Sequence, residues 1–298
     1  MTTLASNAPL LSRIEDLHQI PTIPAVLAPL LRYLQRPAEQ MDVQKITDLI
    51  AQDKSLAAQC LQMANSPLFG KWQKVDSLKG AIVGLGMHRV SDIITCCSIL
   101  NLAPKDSSGI DPVAFWEHSL GCALVCRHFA RNISYPDPSK AYLAGLLHDI
   151  GILVNLWMLP NEFRAAFERA RDLGSPLCEA EFAVLGFTHC ESGHLLARKW
   201  ELSEDLCDVV SLHHSTYASS PNAPLIALVA ISDLLCRMSR LGYGFIEKRE
   251  VNLLHEAGFS SLSKICPSLN DFDWARLTLE LDSYMDEVHA LVHAIYRK

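Results

Sequence analysis

An all-α protein is the fold the sequence predicts, and three observations predict it. No stretch sustains the period-two alternation of β-branched residues that a half-buried strand needs. Apolar residues instead recur at helical spacing, as in Val43, Ile46, Leu49 and Ile50. Between such runs stand turn formers, among them Asn65-Ser-Pro67 and the glycines at 84 and 86.

Taken in order, residues 1–13 read as a flexible leader, and Pro21 and Pro24 mark an opening turn into a helix over 25–34. Asp42 is a plausible N-cap for the next helix. Helices over 55–63, 77–83 and 88–100 follow, and residues 101–112 read as a linker. Beyond it the pattern predicts helices over 113–132, 140–158, 161–174, 176–185, 189–200, 204–213, 225–241 and 271–296. The expected organisation is an N-terminal helical lobe over 14–105, a second helical lobe over 106–241 and a C-terminal helical extension over 242–298, which carries no readable motif.

The chain has 298 residues, 49% hydrophobic and 20% charged, enough apolar material for a real core. Net charge is −7, and no basic run of five or more occurs, which argues against a nucleic-acid partner. The helix pair around Gly84 and Gly86 resembles a helix-turn-helix in outline. Its second helix has Arg89 as its fixed cation and ends in an apolar stretch, so a core hairpin is the better reading. Ten cysteines are scattered without a CxxC pair and read as buried, reduced thiols, which implies a reducing compartment. No basic segment followed by an apolar core is visible at the N-terminus, and a cytoplasmic location is expected. The longest apolar run, residues 141–159, contains His148, Asp149 and Asn155, which a membrane span would not lightly carry. A buried helix explains it better, and no membrane partner is expected.

His148 and Asp149 are the strongest local signal, because nearly everything around them is apolar. A buried carboxylate costs several kcal/mol unless it is paired or bound to metal. A divalent ion would compensate imidazole and carboxylate together. Further candidates lie on separate predicted helices: His118, His189, the pair His213 and His214, and Asp233. Each has a plainer reading. Asp233 has Arg237 four residues on, His213 and His214 end a helix, where positive charge is welcome, and His189 could cap its helix. Cys122 and Cys126 share a face with His118 and read as packing. Glu179 and Glu181 point to different sides of a helix and read as solvated charge. His194 should face away from His189. Gly145 and Gly151 would let another helix approach closely.

The order His118, His148-Asp149, His189, His213-His214, Asp233 resembles the HD superfamily, and closely the metal-ligand order of its HD-GYP branch. That resemblance implies a two-metal site bridged by Asp149, with His118, His148 and Asp233 on one ion and His189, His213 and His214 on the other. In the first lobe, Ile20-Pro-Thr-Ile-Pro24, Ile50-Ala-Gln-Asp53 with Leu56, Asn65-Ser-Pro67 and Ser77-Leu-Lys-Gly-Ala-Ile-Val-Gly-Leu-Gly86 are similar to the HDOD family. So are Gly145-Leu-Leu-His-Asp-Ile-Gly151 and His189-Cys-Glu-Ser-Gly193 with Trp200. The resemblance spans about residues 14–214 and implies a two-lobed helical HDOD fold with an HD-like C-terminal helical lobe, usually regulatory.

Three departures bear on activity. HD-GYP enzymes place a phosphate-contacting Lys three positions after the Asp, where this chain has Ile152. Ser215-Thr-Tyr-Ala218 stands in place of the Gly-Tyr-Pro element, and Ala114 in place of a Glu found in trinuclear members. The resemblance therefore implies a signal-transduction module holding one or two divalent ions (Fe, Mn, Zn or Ni, Mg suiting less) with weak or no catalysis. The alternative is a metal-dependent phosphohydrolase acting on a nucleotide or cyclic dinucleotide. Expected partners are a signalling protein or a small phosphorylated ligand, and Lys140, Arg198 or Lys199 would have to supply the cation that position 152 lacks.

Overall fold

The structure is a computed structural model that describes residues 29, 43–51, 53–69, 74–100, 102, 110–215, 220–239, 241–266, 269 and 272–296. The leader, the turn at Pro21 and Pro24, most of the helix read over 25–34, the Asp42 cap and most of the 101–112 linker lie outside these residues. Among the described residues all regular structure is helical. The chain divides into two compact units, one of Met1–Pro21 with Pro104–Thr278, the other of Thr22–Ala103 with Leu279–Lys298.

Among the described residues of the smaller unit, the helices in chain order include α1 (Val43–Ala51), α2 (Lys54–Ala64), α3 (Leu78–Leu85) and α4 (Met87–Leu100). Asp53 starts α2 by accepting the amides of Ser55 and Leu56 at 2.9 and 3.0 Å, which satisfies donors a helix cannot pair internally. Asn65 ends α2 and pins the following loop, exchanging two 2.8 Å bonds with the backbone of Val75. Ser77 caps α3, and Gly86 closes it at φ 84°, where a side chain would be strained. Ile46, Ile50, Leu56, Cys60, Met63 and Phe69 are buried in this unit, and burying each large apolar side chain contributes about 1.5–3 kcal/mol. Every residue of α4 from Val90 to Leu100 is buried, and Arg89 donates to the Phe69 carbonyl. Residues 90–100 of that helix are thus core, in keeping with a core hairpin.

The larger unit holds α5 (Pro112–Asn132), α6 (Pro138–Leu147), α7 (Ile150–Met158), α8 (Pro160–Leu173), α9 (Leu177–Leu185), α10 (His189–Lys199), α11 (Glu204–Leu212), α12 (Ala223–Met238) and α13 (Ala257–Ile265). The last helix, α14 (Trp274–Tyr296), begins here and passes into the other unit. Asp111 and Asp137 cap α5 and α6, each followed by a proline in the first turn, where its missing N–H costs nothing. Trp116, Tyr142, Phe129 and Phe163 are fully buried.

Two glycines set the helix spacing. A Cβ on Gly145 would lie 2.9 Å from the Cys122 carbonyl oxygen, so α6 lies tight on α5. One on Gly151 would lie 1.9 Å from the His189 carbonyl oxygen and 2.6 Å from Gly193 N, so α7 and α10 meet backbone to backbone. The close approach expected of both residues is present.

Two elements differ from expectation. The helix read over 140–158 is two helices, broken at His148 and Asp149. By length and composition the stretch Pro138–Met158 could cross a membrane, yet 89% of its apolar window is buried inside the protein, as a core element is. A helix in the C-terminal extension, α13, had no counterpart in the sequence reading. Phe259 and Phe272 pack on Trp274, and Phe272 and Trp274 both meet Phe129 of α5. All ten cysteines are free thiols, and Cys122 and Cys126 are buried side by side.

Candidate metal centre

His148 and Asp149 sit at the break between α6 and α7. His148 ends α6 and turns its Nδ1 back onto the Gly145 carbonyl at 2.8 Å. Asp149 opens α7 with its carboxylate free of any capping bond to that helix, and so available to the interior. In a continuous helix the two side chains would diverge by about 100°; the break brings both to one point.

Four imidazoles face this carboxylate through the same nitrogen. His118 on α5 donates Nδ1–H to the Leu241 carbonyl, His148 to Gly145, and His213, just after α11, to the Val209 carbonyl at 3.0 Å. His189, at the start of α10, gives Nδ1–H to the Glu181 carboxylate at 2.6 Å. Carbonyl and carboxylate oxygens only accept, so each Nδ1 carries a proton, and each Nε2 is left to offer a lone pair when its ring is neutral or a second N–H when it is protonated. Those Nε2 atoms converge on Asp149. His189 and His213 Nε2 lie 3.1 and 3.2 Å from Oδ1, and His148 and His118 Nε2 lie 3.0 and 3.3 Å from Oδ2.

Asp233 of α12 joins the second group, its Oδ1 3.3 Å from His118 Nε2 and 3.9 Å from His148 Nε2. His214 Nδ1 is 3.9 Å from Asp233 Oδ2, and its ring lies edge-on to His189 and tilted against His213. The ligand atoms fall into two sets, Asp149 with His189, His213 and His214, and His118 with His148 and Asp233. All seven sequence-predicted site residues are thus brought together, while His194 falls in neither set.

Neutral imidazole nitrogens facing carboxylate oxygens repel unless a proton or a metal cation lies between them. Asp149 Oδ1, His189 Nε2 and His213 Nε2 are buried atoms without a hydrogen-bond partner, which is costly for groups of this polarity. Two donor atoms each about 2.1 Å from one ion stand about 3.0–3.4 Å apart for right-angle to tetrahedral arrangements. The four contacts to Asp149 lie in that range at 3.0–3.3 Å, while those of Asp233 to His148 and His214 are wider at 3.9 Å, so Asp149 and its four imidazoles fit a divalent cation both in chemistry and in separation.

The electrostatics point the same way. Burial opposes ionisation throughout, yet hydrogen bonds to the Asp149 and Asp233 carboxylates push the His118 imidazole up to about 10. His213 is also pushed up to about 10, by the Cys190 thiolate charge and Asp149 acting against burial. His189 is held well above its ordinary value, chiefly by Glu181. Burial keeps His148 below its usual range, and burial with the neighbouring His213 holds His214 well below it. Both aspartates stay ionised despite burial. His148 and His189 hold Asp149 well below the usual carboxylate range, and Arg237 does the same for Asp233. The site attracts positive charge, which protons or a metal ion can supply.

Two surrounding groups hold the first layer. Glu181 is fully buried rather than solvated: it accepts from Asn155 Nδ2 at 2.9 Å and from both the backbone N and Nδ1 of His189. The spacing rule rightly separated it from exposed Glu179 but did not say which face was inside. Arg237 grips both oxygens of Asp233 at 2.9 Å, as the i, i+4 spacing predicted, and both of Glu247 at 2.7 Å. The cap of α10 is Thr188, in a capping box with Glu191, and not His189. The Thr188-x-x-Glu191 pattern was available in the sequence as that signal. Ile152 is fully buried. Lys140 pairs with Asp205 and Arg198 with Glu204, and neither they nor Lys199 lines the cavities bordering His214.

The sequence pattern of the HDOD domain matches residues 20–216. An HDOD domain protein of unknown function from Geobacter sulfurreducens is 27% identical, with TM-score 0.81 over 97% of this chain and 98% of its own. A protein from Shewanella amazonensis SB2B, provisionally named a phosphohydrolase, shares the fold at 22% identity, with TM-score 0.71 over 96% of this chain and 98% of its own. An uncharacterized protein of Treponema pallidum (strain Nichols) is 24% identical over 242 residues, which is 79% of this chain and 45% of that relative. The chain thus spans less than half the length of that curated relative.

Proposed function

The chain belongs to the HDOD domain family, and from that premise we propose that it is a signal-transduction module whose HD-like lobe holds one or two divalent ions and turns over phosphodiesters weakly or not at all. The observation that carries this reading is the convergence of four protonated-at-Nδ1 imidazoles on the two oxygens of buried Asp149. An imidazole-rich set with two carboxylates favours Fe, Mn, Zn or Ni over Mg, which prefers oxygen ligands and keeps its water. Weak catalysis follows from position 152, where a buried isoleucine stands in place of a cation that could offset charge on a departing phosphate.

A second reading, metal-dependent hydrolysis of a nucleotide or cyclic dinucleotide, is favoured by one observation: both candidate ligand sets are complete. Bound ions would supply Lewis acidity to a phosphoryl oxygen. This chain's own residues would hold the ligand tautomers through Glu181, Gly145, Val209 and Leu241, and keep Asp149 and Asp233 ionised.

Purification without chelator, metal analysis and a phosphodiester assay with each metal separate the two. Expected are one or two ions per chain, lost in Asp149→Ala, with little turnover. No stoichiometric metal under any loading would overturn the metal reading. Fast metal-dependent turnover abolished in a folded Asp149→Ala would overturn the module reading in favour of the enzyme.

A further inference from the structure

From Leu241 to Arg249 the chain forms no regular element, yet it is tied down at both ends. The Leu241 carbonyl takes the His118 Nδ1–H at 2.5 Å, and the Tyr243 ring lies 4.7 Å from the same imidazole. Phe245 meets Phe167 of α8 edge to face at 5.6 Å. Glu247 receives two 2.7 Å bonds from Arg237, and the Lys248 amide donates to the Gly174 carbonyl at 2.7 Å. Between Tyr243 and Phe245, exposed Gly244 stands at φ 86°, a conformation that side chains avoid. This strap lies beyond residue 216, outside the HDOD match.

The strap covers one ligand set and leaves the other open. Tyr243 and Glu247 wall a space of about 10 Å³ against His189, His214, Asp233 and Arg237, which has room for about one water. His118 and His148 are wholly buried and line neither this space nor the larger cavities beside His214. Asp233 reaches the wall of a cavity of about 170 Å³, but Arg237 stands with it there, clasped to both Asp233 and Glu247. His214, by contrast, has a side chain 22% exposed and borders cavities of about 500 and 170 Å³. The set of His118, His148 and Asp233 is therefore enclosed, while the set containing His214 is reached from solvent.

We propose that residues 241–248 are a gate over the His118, His148 and Asp233 set, latched by Glu247 on Arg237 and by Phe245 on Phe167, which swings away before an ion enters or leaves that set. The proposal rests on the metal reading for what passes the gate; the latch itself does not depend on it. A gate lies on the path in both directions, so loosening it raises uptake and release together and leaves affinity nearly unchanged. Loss of a merely structural support for Asp233 would raise release alone.

Release of zinc from loaded protein, cleared of excess ion and mixed with a chromogenic chelator, tests the gate. Two phases are expected, the fast one from the set that includes His214 and the slow one from the enclosed set. Glu247→Gln should speed the slow phase about tenfold or more, the scale of a lost hydrogen bond between charged groups. Phe245→Ala, which leaves the Arg237 clasp in place, should act in the same direction. Uptake by zinc-free protein should quicken by the same factor, and the fast phase should not move. Glu204→Gln, which breaks an exposed pair with Arg198, should change nothing. In chelator-treated protein, hydrogen exchange at the Lys248 amide reads the strap with no ion present and should quicken several-fold in both strap variants. Release insensitive to both folded variants, faster release with unaltered uptake, or unchanged exchange at Lys248 would overturn the gate and leave the metal reading intact. A parent protein that takes up no zinc would refute the metal reading, and the gate would fall with it.

Discussion

At the scale of single residues, Glu181 does for His189 what backbone carbonyls do for His118, His148 and His213. It fixes the tautomer, and its negative charge raises the basicity of the nitrogen aimed at Asp149. Glu181→Gln keeps an acceptor but removes the charge. Metal affinity should fall about 10- to 100-fold, as removing such outer partners commonly does, with helical content unchanged; competition against a metal indicator dye measures it. Unaltered affinity would mean that His189 is oriented by packing. The seven inner residues were readable because ionisable side chains in apolar helices are rare and must be compensated. Glu181 was not, because its neighbours Glu179 and Phe182 are exposed, so nothing local marks its face as the inner one.

Between elements, the centre depends on how closely α7 and α10 approach. Gly151→Ala would drive a methyl into the His189 carbonyl and the Gly193 backbone, and neither backbone can yield as a flexible side chain would. Overpacking a core typically costs about 1–3 kcal/mol; here urea denaturation should show the upper end of that range or more, with metal affinity falling in parallel. A variant as stable as the parent would show that the helices can part without cost. A second link joins α6 to α11 through Lys140 and Asp205. Burial works against the Asp205 charge, but Lys140 and Ser203 hold the carboxyl below its usual range. A depressed carboxylate stabilises the fold above its unfolded pKa of about 4 and loses that contribution as pH falls through the folded value. The stability gap between the parent and Asp205→Asn should therefore be flat above about pH 5 and close in acid, which melts across pH 3–7 will follow. At this scale the sequence was least informative where tertiary geometry overrode periodicity. The apolar pattern ran through His148 and Asp149 without a breaker, yet the helix opens there so that both can face the centre. The helix α13 was missed because its cap gives no side-chain bond and its anchoring aromatics, Phe272 and Trp274, follow it in the chain.

Across the whole molecule, helical class and family were legible because caps, glycine turns and short motifs each answer to a backbone requirement. Asp53, Asn65 and Ser77 all hold amides or loop backbone that nothing else would satisfy. An ion that binds only the folded state adds about 2.7 kcal/mol at a hundred times its dissociation constant, and each kcal/mol moves the melting temperature about 2–4 °C for a domain of this size. Chelator should thus lower the melting temperature by about 5–10 °C, and calorimetry on Asp149→Ala should show no such sensitivity. A parent melt indifferent to chelator would count against the metal centre.

The carbonyl that orients His118 belongs to Leu241, and the ring of Tyr243 lies 4.7 Å from that imidazole. Both residues, like Asp233 and its Arg237–Glu247 clasp, come after residue 216, where the family match stops. A polypeptide trimmed to that boundary would retain six of the seven candidate ligands but lose the Asp233 carboxylate and the carbonyl that orients His118, both of which lie in the discarded tail. Homology boundaries and chemical boundaries do not coincide in this chain, and any dissection of it by limited proteolysis or truncation should cut after residue 247 at the earliest.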